Sequence, residues 1–192
     1  MIDRDRFFPA VRKSLFGGSL RQSQVDGMNT LLDVWERHFA EPNPRDGTRW
    51  LAYCLATVFH ETAQTMEPIE EYGKGKGMKY GQPAGPHGHV YYGRGHVQLT
   101  WEENYLKAER HLKDRYSIEA KLHQEPRRML EHELSALVLY DGMIHGWFTG
   151  VGLPAYFNST TEDAYNARRI VNGVDRAELI AGYYQKFKNA LA

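Results

Sequence analysis

Apolar positions recur at helical spacing through the first third of this chain. Phe7, Phe8, Val11 and Leu15 share one helical face, and Gly17-Gly18 closes that segment. A second helix is predicted after Ser23, read as its N-cap, with Val25, Met28, Leu31, Leu32, Trp35 and Phe39 as its apolar stripe. Pro42 and Pro44 mark the loop beyond it. A third helix starts near Asp46 and runs through Trp50, Leu51, Cys54, Leu55, Val58 and Phe59. It is apolar on more than one side, which places it in the centre of the fold, with His60 and Glu61 at its C-terminal end. The period then fails. Residues 73–89 mix six glycines with Lys74, Lys76, Lys79, Pro83 and Pro86, a loop composition. Residues 90–100 carry β-type residues around Gly93 and Gly95 and predict a short hairpin or irregular strand pair. Helical patterns return at 101–113, 126–145, 161–171 and 176–190. The sum is a mainly α, single domain spanning residues 1–192, with a small β element between its third and fourth helices.

Composition narrows this further. With 24 Lys and Arg against 24 Asp and Glu, the chain lacks the basic excess of a general nucleic-acid binder. The single cysteine, Cys54, sits in an apolar run and reads as a small buried hydrophobe rather than a nucleophile. No internal disulfide can form. Met1-Ile2-Asp3-Arg4-Asp5-Arg6 contains no apolar signal segment, and no stretch approaches the roughly 18 apolar residues of a membrane span. The expectation is a protein made in the cytoplasm, monomeric, with no membrane span and no cofactor or metal.

Acids cluster after the third helix. Glycosidic cleavage needs two carboxyl groups flanking the bond, one to protonate the leaving oxygen and one to activate water or attack the sugar. Glu61 is the first candidate, because an acid at the end of an apolar helix is partly desolvated. The second must come from Glu67, Glu70 or Glu71. An unbroken helix would put Glu70 about 900° and about 13.5 Å beyond Glu61, on the opposite face. The chain must therefore turn. Pro68 would cost about 3 kcal/mol inside a helix and pushes Glu67 out of the α region, so the helix is predicted to end near Thr65. On spacing alone, a solvated acidic turn is the better explanation of these three glutamates.

Further motifs add to this pair. His60-Glu61-Thr62, then Tyr91-Tyr92-Gly93-Arg94-Gly95 with Gln98-Leu99-Thr100 and Asn104-Tyr105, resembles the family 19 glycoside hydrolases, chitinases and related phage and bacterial endolysins. Trp147-Phe148 and the segment from Asn166 to Asn172-Gly173 are similar to later elements of that family, in the same order. The resemblance implies a lysozyme-like α+β fold, with the β-hairpin beside the cleft, and inverting hydrolysis of β-1,4 links between N-acetylated amino sugars. It implies Glu61 as general acid, Glu70 as the second carboxylate and Thr100 as a holder of the attacking water. Gln98, Asn104 and Asn172 would hydrogen-bond the sugar chain. Tyr91 and Tyr92 offer flat apolar faces, Tyr92 being the expected sugar contact and one of the two a packing residue. Arg94, Arg168 and Arg169 read as structural arginines that brace the cleft by pairing with a catalytic Glu. Two departures stand out. The family often has glycines directly after this His-Glu motif, where this chain has Ala63 and Gln64. Plant members place the second carboxylate in a longer insertion, which would favour Glu71 or Glu67.

Other signals are weaker. Position 64 is Gln, so His60-Glu61 lacks the second histidine of a zinc protease helix. His87, His89 and His96 read as polar loop histidines rather than a metal site. Gly73-Lys74-Gly75-Lys76-Gly77 lacks the spacing of a phosphate loop. The partner expected is a polysaccharide, peptidoglycan or chitin. The missing signal segment favours an endolysin from a phage or prophage, acting on the cell wall after release. The alternatives are a chitinase and a non-catalytic glycan-binding module.

Overall fold

The computed structural model describes residues 1–40 and 44–192, and of Pro44 and Arg45 the backbone only. The loop expected at Pro42 lies outside the described residues. Among the described residues six α-helices carry the fold: α1 (Arg4–Ser14), α2 (Gln22–His38), α3 (Pro44–Glu61), α4 (Glu102–Tyr116), α5 (His132–His145) and α6 (Ala177–Leu191). Four two-residue strands lie between α3 and α4. β1 (Ile69–Glu70) pairs antiparallel with β4 (Arg94–Gly95), and β2 (Pro83–Ala84) with β3 (His89–Val90). Among the described residues no helix is long and apolar enough to cross a membrane.

The central place of α3 is confirmed. Every residue from Leu51 to Phe59 is buried, and α3 packs chiefly against α6, with α5 also in contact. The Phe59 ring meets Tyr183 at 4.7 Å and Phe187 at 6.1 Å. Each such fully buried side chain contributes about 1.5–3 kcal/mol. α5 is the second buried helix, with Leu134 through Met143 all inside. It holds the β element in place: the Ser135 hydroxyl accepts the His96 backbone N–H at 2.8 Å. Gly95 (φ +85°) lies against it so closely that a Cβ would stand 2.7 Å from the Ser135 Oγ and 2.8 Å from the Met129 Cε. Only glycine fits both demands.

Several boundaries differ from the sequence prediction. α2 begins at Gln22, with Arg21 as N-cap, and the Gln24 side chain accepts the Arg21 N–H at 2.9 Å, so Ser23 is inside the first turn. α3 begins at Pro44, two residues before Asp46; proline at a first helical position loses no bond. The segment 126–145 is broken at Glu131, whose ψ of 122° separates a 3-10 turn (Pro126–Leu130) from α5. Residues 161–171 form a bridge between Phe157 and Glu162 and a 3-10 turn (Asn166–Ile170) rather than an α-helix. The glycine-rich loop supplies β2, and 90–100 is an irregular strand pair: Arg94 and Leu99 form an antiparallel bridge with each other, while His89–Val90 and Arg94–Gly95 also pair back to 83–84 and 69–70.

The largest local difference is the end of α3, four residues before Thr65. The Gln64 N–H donates to the Phe59 carbonyl (2.9 Å) and the Ala63 N–H to the His60 carbonyl (3.3 Å), a Schellman closure with both residues left-handed, at φ 48° and 66°. Left-handed geometry costs a non-glycine residue about 1–2 kcal/mol. Both side chains are exposed and serve no packing role. Gln64→Gly is therefore expected to stabilise the protein by about 0.5–1 kcal/mol after the greater freedom of glycine in the unfolded chain is deducted. Calorimetry should show a rise in Tm of about 2–4 °C.

Candidate active site

Glu61 is the last residue of α3, and the turn after it is built to be rigid. The buried Thr62 hydroxyl donates to the Val58 carbonyl (2.7 Å) and accepts the Met66 N–H (3.2 Å). The Gln24 amide reaches from α2 to the Gln64 carbonyl at 2.9 Å. The Glu61 carboxylate, 18% exposed, receives the Arg168 guanidinium: Nη1 donates to Oε1 at 2.6 Å. Arg168 is 4% exposed and also donates through Nε to the Asp175 carbonyl at 3.1 Å. One side chain thus ties the 166–175 segment to the end of α3. Oε2 of Glu61 has no hydrogen-bond donor among the described residues. The exposed Arg169 guanidinium reaches Asn166 and its carbonyl accepts the Thr149 hydroxyl, so of these two arginines it is Arg168 that pairs with Glu61. Beside Glu61, burial lowers the pKa of His60, with Arg168 and Arg176 acting in the same direction.

Glu70 comes from β1, across the ladder from Arg94 of β4. The Tyr92 hydroxyl donates to its Oε1 at 2.6 Å. Arg94 Nε stands 3.7 Å from the same oxygen, and Lys74 Nζ 3.4 Å from Oε2. The Tyr92 hydroxyl is the largest cause that holds this carboxyl below the ordinary glutamate range; burial opposes it, and the Lys74 ammonium and then the Arg127 charge add to the lowering. Glu71 is differently committed. It accepts the Tyr80 hydroxyl (3.1 Å) and the Gly93 N–H (3.0 Å), which pins the glycine loop to the β element. Glu67 lies against Gly27 of α2.

The other predicted positions divide between these two acids. Around Glu70, Tyr92 is 8% exposed and its ring face is covered by the Arg94 guanidinium at 3.5 Å. Its hydroxyl is committed to Glu70 and that ring face to Arg94. Tyr91 is also buried, its hydroxyl on the His123 carbonyl at 2.8 Å, so both tyrosines pack inward. The Gln98 amide nitrogen is spent on the Ile69 and Gly95 carbonyls, each at 3.1 Å. Asn104 donates to the Thr100 carbonyl at 2.9 Å, leaving the half-buried Thr100 with its hydroxyl unbonded among the described residues. Beside Glu61, Asn172 is exposed. Its N–H donates to the Arg168 carbonyl (3.0 Å), and its Oδ1 accepts the N–H of Gly173 (2.9 Å).

Two expectations outside the acids, Cys54 and His96, are decided by burial. Cys54 is fully buried, and burial pushes its thiol well above the ordinary range. His96 lies in the turn after β4, as expected of a loop histidine, but it is fully buried, and burial, with His132 nearby, lowers it to about 3, so the ring is neutral. Among the described residues no three His, Cys, Asp or Glu side chains are arranged to hold a metal ion. Trp147 is buried and stacks on His111 at 4.2 Å. Sequence reasoning missed the Tyr92 and Lys74 contacts to Glu70. The i, i+4 spacing of Glu70 and Lys74 was the one local hint.

The architecture is that of the lysozyme-like, mainly α family 19 chitinases. Solved structures with this fold include chitinase C from Streptomyces griseus HUT6037 (21% identity, TM-score 0.63, 99% of this chain and 92% of that one). A class IV family 19 chitinase from Zea mays matches at 16% identity and TM-score 0.58, over 100% and 95% of the two chains. A bacterial family 19 chitinase matches at 20% and 0.55, over 100% and 95%. No protein-family model and no curated protein sequence matches the chain. The likeness at these identities is one of fold.

Proposed function

We propose that this protein is a glycoside hydrolase that cleaves β-1,4 links between N-acetylated amino sugars by inversion, acting on peptidoglycan as an endolysin-type enzyme. The observation that carries this reading is the pair Glu61 and Glu70. Each is braced by its own buried arginine, and the rigid turn through Thr62 and Met66 joins them. In the proposed reaction Glu61 gives its proton to the leaving oxygen. Water attacks from the opposite face, oriented by the Thr100 hydroxyl, and Glu70 takes its proton. The turnover leaves Glu61 ionised and Glu70 protonated, and exchange with solvent resets both. The low pKa direction of Glu70 suits the base. Gln98 ties the strand that carries Glu70, Asn104 holds the Thr100 backbone, and Asn172 is attached to the Arg168 backbone with its side chain exposed.

The neighbouring folds are chitinases, which supports an amino-sugar substrate and keeps chitin as the second reading. Lys74 beside Glu70, with Lys76 and Lys79 on the same glycine-rich loop, favours an anionic polymer. Purified peptidoglycan and chitin hexamer, digested side by side and read by mass spectrometry, separate the two. Disaccharide-peptide products from peptidoglycan are expected at a rate well above cleavage of the hexamer. Cleavage of the hexamer alone would overturn the peptidoglycan reading.

A further inference from the structure

A cavity of about 500 Å³ opens beside Glu70, between the 89–94 segment and the 124–128 segment. Its volume falls within the range of small-ligand sites. Tyr92 and Arg94 form one wall, and these are the side chains that hold Glu70. Whatever fills the cavity is therefore one side chain away from the second carboxylate. Pro126, Arg127 and Arg128 form the facing wall, with His89 and Glu125 at the edges.

The charges on these walls are not equally free. Arg94 uses Nη1 for the Val90 and Tyr92 carbonyls and the Tyr105 hydroxyl, and its buried Nε has no hydrogen-bond partner but stands 3.7 Å from Glu70 Oε1. Arg128 is held by both oxygens of Glu131 and by the Ala120 carbonyl. Arg127 is exposed and forms no hydrogen bond or ion pair among the described residues, although its charge is close enough to help hold Glu70 ionised. A free guanidinium thus borders a cavity whose wall carries three arginines against one glutamate. Its planar fork matches a carboxylate. A chain of N-acetylglucosamine is neutral and would leave that charge unused. A muramyl unit bears an acidic peptide stem on its lactyl ether, projecting sideways from the glycan.

We infer that this cavity receives the acidic peptide stem of a muramyl unit, with Arg127 pairing a stem carboxylate, and that it sets the preference for peptidoglycan over chitin. This rests on the hydrolase reading above. The test compares KM and kcat on native peptidoglycan and on peptidoglycan whose stem carboxylates are blocked as neutral amides. On native material Arg127→Gln is expected to raise KM about fivefold, the size of one exposed charge pair, at unchanged kcat. Arg127→Lys should recover most of that loss. On blocked material the wild-type KM should itself rise, and Arg127→Gln should add nothing. Equal KM for wild type and Arg127→Gln on native peptidoglycan, or an equal loss on both materials, would overturn the inference and leave peptidoglycan as the substrate. A wild-type protein that cleaves chitin hexamer and leaves peptidoglycan intact would overturn both.

Discussion

Glu61→Gln is expected to lower kcat by about 10²–10⁴-fold, the contribution of a positioned general acid. Glutamine keeps the shape of the side chain and a carbonyl oxygen that can accept the Arg168 Nη1 bond now made at 2.6 Å. It has no proton of the required acidity. Arg168, 4% exposed, loses its counter-charge but keeps the Asp175 carbonyl. Weakening a charge-assisted hydrogen bond of this kind costs about 1–3 kcal/mol, so Tm should fall by several degrees while unfolding stays cooperative. Reducing-end release and calorimetry on one preparation separate the two effects. A variant that is inactive only because it is unfolded would show no thermal transition.

The second large effect is the contrast between Glu70 and Glu71. Glu70→Gln removes the base and is expected to lower kcat by a similar factor. Glu71→Gln should leave kcat within a few-fold of wild type and instead lower Tm, because the Gly93 N–H and Tyr80 hydroxyl lose a charged acceptor. Activity lost in Glu71→Gln and kept in Glu70→Gln would move the base to Glu71. The pH profile gives an independent check. Glu70 is held below the ordinary glutamate range, so it stays ionised, and the base competent, to lower pH than a free carboxylate would. Its stabilising contribution follows the same sign: present above the ordinary carboxylate pKa and lost as pH falls through the folded one. Tyr92→Phe removes the largest cause, and the acid limb of kcat/KM should move to higher pH.

The helices near the N-terminus were legible because their apolar stripes follow one period, and α3 because it is apolar all round. The segments at 126–145 and 161–171 carry helical periodicity too, but Glu131 and the Phe157–Glu162 bridge break them through contacts that periodicity does not encode. The end of α3 was misplaced for a related reason. Pro68 was the visible breaker, whereas the helix ends earlier, in a left-handed turn formed by Ala63 and Gln64, residues that do not advertise it. At the site, the two acids were legible from the motif order. Their environment was not: Arg168 reaches Glu61 across 107 positions of the chain. Tyr92, 22 positions from Glu70, was readable as an aromatic face but not as a hydroxyl donor to that acid.

The central claim is that Glu61 and Glu70 act on opposite sides of a β-1,4 glycosidic bond with a water between them. Proton NMR of the first products released from chitin hexamer or solubilised peptidoglycan strands, recorded before mutarotation, tests it most directly. The account predicts new reducing ends that start as the α-anomer with wild type, and none above background with Glu61→Gln. An initial β-anomer, or α-anomer release from Glu61→Gln at the wild-type rate, would contradict it.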